Sequence, residues 1–329
     1  MTESSSVGSE THPVVAMPGV SGQPLRDATE GLDWAADGSQ WPLAEHSLFP
    51  RAGGLRWHVQ IMGSGPTLLL VHGTGSSTHS WASLAPILAQ HFKVVMLDLP
   101  GHAFTQRRTG ADLSLPQMAR GVAELMRALT LEPAIVVGHS AGVAILIRCC
   151  LDGRLNPNAL VSINGALLPF GGAASWLFPS LAKLLFLNPL MPRLFARSAR
   201  DRHRVERLIE GTGSNPDRID IERYRHLFSD ASHVAATLGM MAHWDLHPFL
   251  HQLPQLTVPT LFIVSDNDRA IPPEQAERMH ARIPKATLAR LPDLGHLAHE
   301  EDAPLIGQTI VDYLQALRAW PATAVGGAR

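Results

Sequence analysis

The segment Gly138-His139-Ser140-Ala141-Gly142 carries the strongest structural signal in this chain. The apolar residues 134–137 before it are typical of a buried strand, and residues 141–151 after it have the length and composition of a helix. A serine flanked by glycines at such a junction is typical of a sharp turn, because larger side chains there would clash with the neighbouring backbone. The pattern predicts that the hydroxyl of Ser140 points out of the end of a sheet, where it can act as a nucleophile.

On both sides of this turn, short apolar runs alternate with segments of helical periodicity. The apolar runs predict buried strands at residues 67–71, 93–97, 134–137, 159–163, 260–264 and 287–291. The periodic segments predict helices at residues 81–90, 115–129, 141–151, 273–282 and 302–318. A half-buried strand is expected at residues 55–62, where apolar and polar side chains alternate. Strands separated by helices of this length predict an α/β fold with a mostly parallel central sheet flanked by helices.

The alternation stops between residues 166 and 250, which contain no run typical of a buried strand. The first part of this stretch is strongly apolar and the second is rich in arginine, and both look helical. Because the insertion lies between two strands of the sheet, we interpret it as a helical cap over a site. The sequence therefore predicts a mobile N-terminal arm (1–44), a core in two pieces (45–165 and 251–320), a helical cap (166–250) and a tail (321–329).

Composition and charge exclude several classes of protein. Hydrophobic residues make up 45% of the 329 residues, which excludes a largely disordered chain. The 27 basic and 29 acidic side chains give a net charge of −2, which argues against nucleic-acid binding. The histidines show no metal-ligand spacing, and no motif predicts a cofactor.

The compartment is expected to be the cytoplasm. The two cysteines, Cys149 and Cys150, are adjacent, a spacing unsuited to a structural disulfide, and residues 1–15 lack the features of a secretory signal. The longest uncharged stretch, residues 155–182, is interrupted by prolines, glycines and asparagines, so it predicts no transmembrane span. A peripheral contact with a membrane surface stays open.

A serine hydroxyl is a weak nucleophile at neutral pH and needs a base. His296 is favoured as the base because it lies in the loop after the last predicted strand, whereas His299 is expected to begin the final helix. The base in turn needs a carboxylate that fixes its tautomer. Asp268 is favoured because it lies deep in the loop after strand 260–264, and the alternative, Asp266, is expected to be a turn residue.

Negative charge that develops on a substrate carbonyl oxygen needs donors that are already in place. The backbone N–H of Ala141 is one candidate for this oxyanion hole, because it begins the helix after the serine turn. The second candidate is the backbone N–H of Thr74, in the glycine-rich loop 72–77 after strand 67–71. The alternative is that this loop is an ordinary turn. A phosphate-binding loop is disfavoured, because no Gly-Lys-Ser/Thr sequence follows.

Taken in chain order, these motifs resemble those of α/β-hydrolases over residues 45–320. The resemblance rests on His72-Gly73, the sequence Asp-Leu-Pro-Gly-His at 98–102, the serine turn, Asp268 and Gly295-His296. It implies an α/β-hydrolase fold and a Ser–His–Asp triad. Dehalogenases and epoxide hydrolases of this fold use an acidic nucleophile, so the serine at position 140 separates this chain from them.

Further segments resemble one branch of that family more closely. They include IEGTGS at 209–214, MMAHWDL at 240–246 and GHLAHEE at 295–301. These segments are similar to those of the hydrolase-like magnesium chelatase accessory proteins encoded in bacteriochlorophyll-synthesis gene clusters. The likeness implies a role in tetrapyrrole metabolism, with magnesium chelatase subunits as candidate partners.

The predicted cap supplies apolar side chains that could wall a pocket for a small hydrophobic substrate. The candidates for such a pocket are Phe170, Trp176, Met240, Met241 and Trp244. Each of them could instead simply pack the cap on the core. An arginine-rich run could bind carboxylates or anionic lipids, although its interleaved acids favour a solvated helix with salt bridges; its members are Arg193, Arg197, Arg200, Arg202, Arg204 and Arg207.

Competing hypotheses for the function follow from these observations. The first is a serine hydrolase that acts on an ester, or a related carbonyl, of a hydrophobic substrate such as a tetrapyrrole. The second is a non-catalytic porphyrin-binding protein on a hydrolase scaffold. The third is a peripheral, membrane-associated partner of magnesium chelatase. The complete set of serine, histidine, aspartate and oxyanion donors favours the first.

Overall fold

The computed structural model of the protein describes residues 28–29, 31–169, 188 and 190–318. The strands, in chain order, are β1 (Ala28–Thr29), β2 (Ser47–Leu48), β3 (Arg51–Ala52), β4 (Leu55–Arg56), β5 (Val59–Met62), β6 (Thr67–Val71), β7 (Lys93–Leu97), β8 (Arg107–Arg108), β9 (Ile135–His139), β10 (Ala159–Ile163), β11 (Thr260–Ser265) and β12 (Ala286–Leu291). The α-helices are α1 (Trp34–Asp37), α2 (Ala85–Leu88), α3 (Leu115–Ala128), α4 (Ala141–Leu151), α5 (Met191–Ser198), α6 (Arg202–Gly211), α7 (Ile221–Phe228), α8 (Ala231–Ala242), α9 (His247–Leu250), α10 (Glu274–His280), α11 (Ala298–Glu301) and α12 (Ala303–Ala316). Short 3₁₀-helices lie at Gly38–Gln40, Ala44–His46, Thr78–Trp81, Pro216–Arg218 and Leu253–Gln255.

Eight strands form one central sheet in the order β12-β11-β10-β9-β6-β7-β5-β2. The strands from β12 to β7 run parallel, whereas β5 and β2 pair in the antiparallel sense at one edge. Every residue of β6, β9, β10 and β11 is buried, as expected for strands whose two faces are both covered. The predicted α/β architecture with a mostly parallel sheet is confirmed.

The side chains of successive residues in each strand point to opposite faces of the sheet. Leu69 and Val71 of β6 lie in a hydrophobic cluster with α3 and α4. Leu68 and Leu70 lie in a second cluster with Trp81, α2 and α12. Both faces are thus closed, and the loops at the carboxyl ends of the parallel strands are left to form a site.

The region 55–62 differs from the single strand predicted for it. Residues 55–56 form a hairpin with β3, and residues 59–62 join the main sheet. His58 lies between them; its N–H donates to Thr105 Oγ1 at 2.9 Å, and its ring bonds Asp98 at 2.7 Å. Because a buried imidazole needs polar partners, the chain changes its pairing partner at this point.

The helix predicted at 81–90 is also shorter in the structure. Trp81 belongs to the 3₁₀-helix Thr78–Trp81, and α2 begins only at Ala85. Pro86 lies in the first turn of α2. A proline there is tolerated, but it has no N–H to support a helix that began at residue 81.

Between β10 and β11, residues 190–250 consist of helices α5 to α9 and their connecting turns. The turn after α6 reaches the loops that follow β11 and β12. The N–H of Arg269 donates to the carbonyl of Thr212 at 3.0 Å, and the N–H of Leu297 donates to Ser214 Oγ at 2.8 Å. Across the part of the chain that the structure describes, no helix is both long enough and apolar enough to cross a bilayer. The domain boundaries stay a prediction.

Candidate active site

Ser140 lies in the sharp turn between β9 and α4. Its backbone has φ of +51° and ψ of −120°, a strained conformation for a residue with a side chain. Its N–H donates to the carbonyl of Ile163, and its carbonyl accepts from the N–H of Ala166, both at 3.1 Å. The turn is therefore fixed to the end of β10, and the serine side chain stays half-buried.

Glycines make room for this turn. A Cβ on Gly138 would lie 2.6 Å from a backbone nitrogen of α4, and one on Gly142 would lie 2.2 Å from the carbonyl oxygen of Val71. A Cβ on Gly73 would lie 2.9 Å from the Cβ of Ser140. The loop after β6, which contains the candidate oxyanion donor Thr74, therefore passes directly against the serine.

Asp268 and His296 pair directly in the loops that follow β11 and β12. The Nδ1–H of His296 donates to Oδ2 of Asp268 at 2.8 Å. The other oxygen of Asp268 accepts the N–H groups of Ala270 and Ile271, both at 2.8 Å. The Asp268 side chain is fully buried, whereas 11% of the His296 side chain is exposed. In the neutral tautomer with its proton on Nδ1, the ring leaves Nε2 as an acceptor, which is what a general base needs.

The two residues weighed against this pair are engaged elsewhere. Asp266 is exposed and forms an ion pair with Arg290. His299 lies in α11 and is fully buried, with its ring 4.5 Å from that of Trp81 and 4.4 Å from that of His139. Asp266 is thus part of a surface ion pair, and His299 is packed in the core.

Two buried side chains hold the loop of His296 beside the serine turn. The carbonyl oxygen of His296 accepts from the Nε2–H of His139 at 2.9 Å and from the Nδ2–H of Asn164 at 3.0 Å. Asn164 also donates to the carbonyl of Gly295 at 3.1 Å and to Ser265 Oγ at 3.0 Å, and it accepts the N–H of Ser265 at 3.0 Å. Asn164 therefore connects the ends of β10 and β11 to the histidine loop.

The histidine loop is also held from its outer side. The N–H of Gly295 donates to Oε1 of Glu301 at 2.9 Å, and Ser214 Oγ accepts the N–H of Leu297 at 2.8 Å. A Cβ on Gly295 would lie only 2.3 Å from the backbone of Gly213. The turn after α6 therefore packs so closely that only glycine fits at position 295.

Histidines also hold the loop 72–77. The Nδ1–H of His72 donates to the carbonyl of Gly73 at 2.7 Å, and its Nε2 accepts a backbone N–H after β7 at 2.9 Å. His233 of α8 donates its Nε2–H to the carbonyl of Gly75 at 3.0 Å and accepts the N–H of Ala103 at 3.1 Å. Burial lowers the pKa of His233 to about 4, so this link is made by a neutral imidazole.

Thr74, the second oxyanion candidate, contacts the helical segment through its side chain. Its hydroxyl donates to the sulfur of Met240 at 3.5 Å, and Met240 is fully buried in the cluster with α3 and α4. Met241 is half-buried, and the half-buried Trp244 packs against the same cluster as Met240. Two further pocket candidates lie outside the described residues, namely Phe170 and Trp176.

A groove of about 550 Å³ lies away from these residues. It is formed by β3, β4, β8 and the first half of α3, and its lining includes Trp57, Arg107, Arg108, Leu113, Met118 and Arg120. None of Ser140, Asp268 and His296 lines it. The groove is therefore separate from the candidate site.

A buried polar network lies between the loop 72–77, α7 and α11. The hydroxyl of Tyr224 donates to Oε1 of Glu300 at 2.6 Å and lies 3.4 Å from Ser76 Oγ. Burial raises the pKa of Glu300 to about 8, although the hydrogen bond from Tyr224 lowers it. Burial lowers the pKa of His79 and of His299 to about 3. The groups behind the candidate site are thus neutral near pH 7.

Sequence reasoning did not identify Asn164, Ser214 or His233 as part of the site. Asn164 had a usable signal, because a polar residue that directly follows a buried parallel strand lies at the edge where sites form. Its φ of +46° also suits asparagine better than most residues. His233 lies in an apolar helix, and Ser214 lies in a turn, so neither had a local signal.

Comparison of the sequence with known proteins identifies related families and proteins. Residues 66–303 match the family model described as alpha/beta hydrolase fold. A magnesium-chelatase 30 kDa subunit from Rhodobacter capsulatus is 35% identical over 286 residues, which cover 86% of this chain and 100% of that protein. Both findings confirm the resemblances drawn from the sequence motifs.

Solved structures agree on the fold. The epoxide hydrolase CorEH superposes with a TM-score of 0.71 at 20% identity, covering 83% of this chain and 99% of that one. A thermophilic esterase from Thermogutta terrifontis superposes with a TM-score of 0.65 at 24% identity, covering 82% of this chain and 98% of that one. At such identities the likeness concerns the fold alone.

Proposed function

The chain belongs to the α/β-hydrolase family, and we propose that it is a serine hydrolase acting on an ester, or a related carbonyl, of a small hydrophobic substrate. One observation carries the proposal. His296 is paired with Asp268, and its loop is tethered by Asn164 and His139 beside the strained turn of Ser140. Backbone strain of this kind is typical of functional turns.

In the proposed reaction, His296 Nε2 takes the proton of the Ser140 hydroxyl while the oxygen attacks the substrate carbonyl carbon. Asp268 holds the imidazole in place and stabilises its charged form. The N–H groups of Ala141 and Thr74 bind the oxyanion, and each such donor contributes about 10²–10³-fold to the rate. His296 then gives its proton to the leaving alcohol, and an acyl group remains on Ser140.

The second half of the reaction repeats these roles with water. His296 takes a proton from a water molecule, whose oxygen attacks the acyl carbon. The tetrahedral intermediate collapses, the acid leaves, and the proton returns from His296 to Ser140. The overall reaction consumes the ester and one water molecule and releases an alcohol and an acid.

We place the substrate in tetrapyrrole metabolism because the relative from Rhodobacter capsulatus, matched over its full length, is named a magnesium-chelatase subunit. A porphyrin ester is flat and largely apolar, and Met240, which contacts Thr74, lies close along the chain to Met241 and Trp244. We propose that these side chains, together with Phe170 and Trp176, wall its pocket.

The proposal is tested with a fluorophosphonate probe and a series of p-nitrophenyl esters of increasing acyl length. We expect the probe to label the folded protein at Ser140, labelling to vanish in Ser140→Ala, and the longer acyl chains to be preferred. Folded wild-type protein that the probe leaves unlabelled, and that cleaves none of the esters, would contradict the proposal.

A second function, porphyrin binding without catalysis in association with magnesium chelatase, is favoured by the same relative's name. Titration of wild-type and Ser140→Ala protein with magnesium protoporphyrin monomethyl ester separates the two. Equal binding by both proteins, with no turnover of the ester and co-purification with chelatase subunits, would favour this second function. Turnover that depends on Ser140 would favour the hydrolase.

A further inference from the structure

Helix α5 shows the reverse of the pattern expected for a helix on a globular protein. It buries its small residues Pro192 and Ala196. Its large apolar residues point outward, with Leu194 56% exposed and Phe195 46% exposed, and Leu190 just before the helix is 58% exposed. A helix normally turns its large apolar side chains to the core.

These exposed side chains are concentrated in one place. Among the described residues, the large apolar side chains that are exposed are Leu48, Leu190, Leu194, Phe195, Leu208, Leu305 and Leu317. Three of these seven fall within the six residues 190–195. A cluster of this kind marks a surface that contacts something apolar, whereas single exposed leucines are ordinary.

The charged residues within and directly after helix α5, up to residue 200, are all basic. Arg193, Arg197 and Arg200 are exposed beside it and, within the described part of the chain, form no ion pair. The chain has no acidic residue between Asp152 and Asp201. The arginines of α6 differ, because Arg202 pairs with Glu206 and Glu222, and Arg204 pairs with Asp201. The expectation of a salt-bridged helix therefore holds for α6 and not for α5.

We propose that the α5 surface, formed by Leu190, Arg193, Leu194, Phe195, Arg197 and Arg200, docks on an anionic lipid surface. The leucines and the phenylalanine would enter the boundary between headgroups and acyl chains, and the guanidinium groups would pair with lipid phosphates. Cations without acidic partners, interleaved with large apolar side chains, complement that surface in both charge and polarity.

The position of α5 gives this docking a consequence for the candidate site. Helix α5 packs against α8, and α8 holds the loop 72–77 through His233 and contacts Thr74 through Met240. Docking through α5 would therefore bring the helices over that loop close to the lipid. A hydrophobic substrate dissolved in the bilayer could then reach the protein without crossing water.

The test is co-sedimentation of the full chain with large unilamellar vesicles at low salt. One set contains phosphatidylglycerol and phosphatidylcholine, and the other contains phosphatidylcholine alone. We expect binding to the anionic vesicles, weakening as salt is added because the attraction is screened. The variant Leu194→Glu/Phe195→Glu is expected to bind at least about tenfold more weakly. The matched control Leu305→Glu/Leu317→Glu, which alters exposed leucines at α12, is expected to bind like the wild type.

A second variant, Arg193→Gln/Arg197→Gln, removes charge and keeps the apolar side chains. It is expected to lose most binding to anionic vesicles while its circular dichroism and melting temperature stay unchanged, which keeps the test valid if the glutamate variant fails to fold. The proposal would be overturned if the wild type did not bind the anionic vesicles, or if the α12 control lost as much binding as the α5 variants. It would also be overturned if the wild type bound no vesicles and formed a dimer that the α5 variants dissociate. The last outcome would instead make α5 an interface between copies of this chain.

Discussion

The molecule contains two buried Asp–His pairs with nearly the same geometry. His296 donates to Asp268 at 2.8 Å, and His58 bonds Asp98 at 2.7 Å. The second pair even has a serine, because the Nε2 of His58 lies 3.0 Å from Ser47 Oγ. By residue type and distance alone, the Ser47 set is the more complete Ser–His–Asp constellation.

The surroundings of the two sets differ. Ser47 lies in the regular edge strand β2, and its hydroxyl also accepts from Gln60 at 3.2 Å. Asp98 accepts the backbone N–H of Thr78 at 2.7 Å, and the side chains of Asp98 and His58 are completely buried. The Ser47–His58–Asp98 set therefore connects loops to the sheet, and its buried histidine and aspartate are not accessible to a substrate.

The Ser140 set has the features that the other lacks. Its serine is strained at the start of α4, a loop with candidate oxyanion donors lies against it, and part of the His296 ring is exposed. A candidate triad must therefore be judged by the role that each group could play, because the distances between side chains do not separate the two sets.

The largest expected effect comes from exchanging each serine for alanine. Ser140→Ala removes the nucleophile and is expected to lower kcat toward p-nitrophenyl esters by about 10⁶-fold, with the fold unchanged. Ser47→Ala removes the hydrogen bonds to His58 and Gln60 and is expected to cost about 2 kcal/mol of unfolding free energy while kcat is kept. Steady-state kinetics and urea unfolding of both variants measure this. If Ser47→Ala lost activity and Ser140→Ala kept it, the assignment of the two sets would have to be reversed.

The two aspartates provide the next test. Asp268→Asn is expected to lower kcat by about 10⁴-fold, because an amide favours the wrong tautomer of His296. Asp98→Asn is expected to cost about 3–5 kcal/mol in stability, because it removes the charge from a fully buried pair, while the kcat of the folded fraction changes little. Chemical denaturation and active-site titration separate these outcomes. Equal effects of both variants on kcat would show that the pairs are functionally alike.

We expect Asn164 to act as a positioning residue, with a smaller effect on the rate. Asn164→Asp keeps the shape but loses the donor to the carbonyl oxygens of Gly295 and His296, so the base shifts and kcat is expected to fall by about 10²-fold. KM is expected to stay unchanged, since the Asn164 side chain is buried and hydrogen-bonded within the protein. Asn158→Ala, at the other end of β10 and exposed, is the matched control. A rise in KM with kcat unchanged would contradict a positioning role.

The last comparison concerns Glu300, a buried carboxyl that hydrogen-bonds a phenol, whereas Asp98 and Asp268 each hydrogen-bond an imidazole. The pKa of Glu300 is raised by burial from 4.5 to about 8, so between these pH values the folded state holds a proton that the unfolded state lacks. The stability of the wild type therefore falls as pH rises through that window, by at most about 1.4 kcal/mol for each step of one in pH. Glu300→Gln removes the penalty, and its stability relative to the wild type is expected to grow from pH 5 to about 8 and then level off.

Urea unfolding at a series of pH values measures that trend. The control is Glu206→Gln, because hydrogen bonds from Arg202 and His203 lower the pKa of this carboxyl. Its small difference from the wild type is expected to have the opposite sign, with stability lost above the usual pKa of a glutamate. A flat profile for Glu300→Gln would mean that Glu300 is ionised in the folded protein.

Much of the sheet could be predicted because its signals are local. The strands β6, β7 and β10 coincide with the predicted ranges 67–71, 93–97 and 159–163. Their apolar runs need no knowledge of the partner strand. The prediction was wrong at 55–62 and 81–90, where a buried imidazole and a proline interrupt the local pattern.

Sequence by itself determined the α/β class, the strained serine turn and the glycines that permit it, because strand periodicity and steric crowding act between near neighbours. Tertiary structure decided which aspartate meets His296, which asparagine tethers its loop, and which Ser–His–Asp set is accessible. The contacts of Asp268 and Asn164 with the His296 loop join residues 28 to 132 positions apart, so they depend on how the sheet and its loops pack. Burial then sets the protonation of groups such as Glu300 and His233, since the free energy of a charge depends on its surroundings and not on its place in the chain.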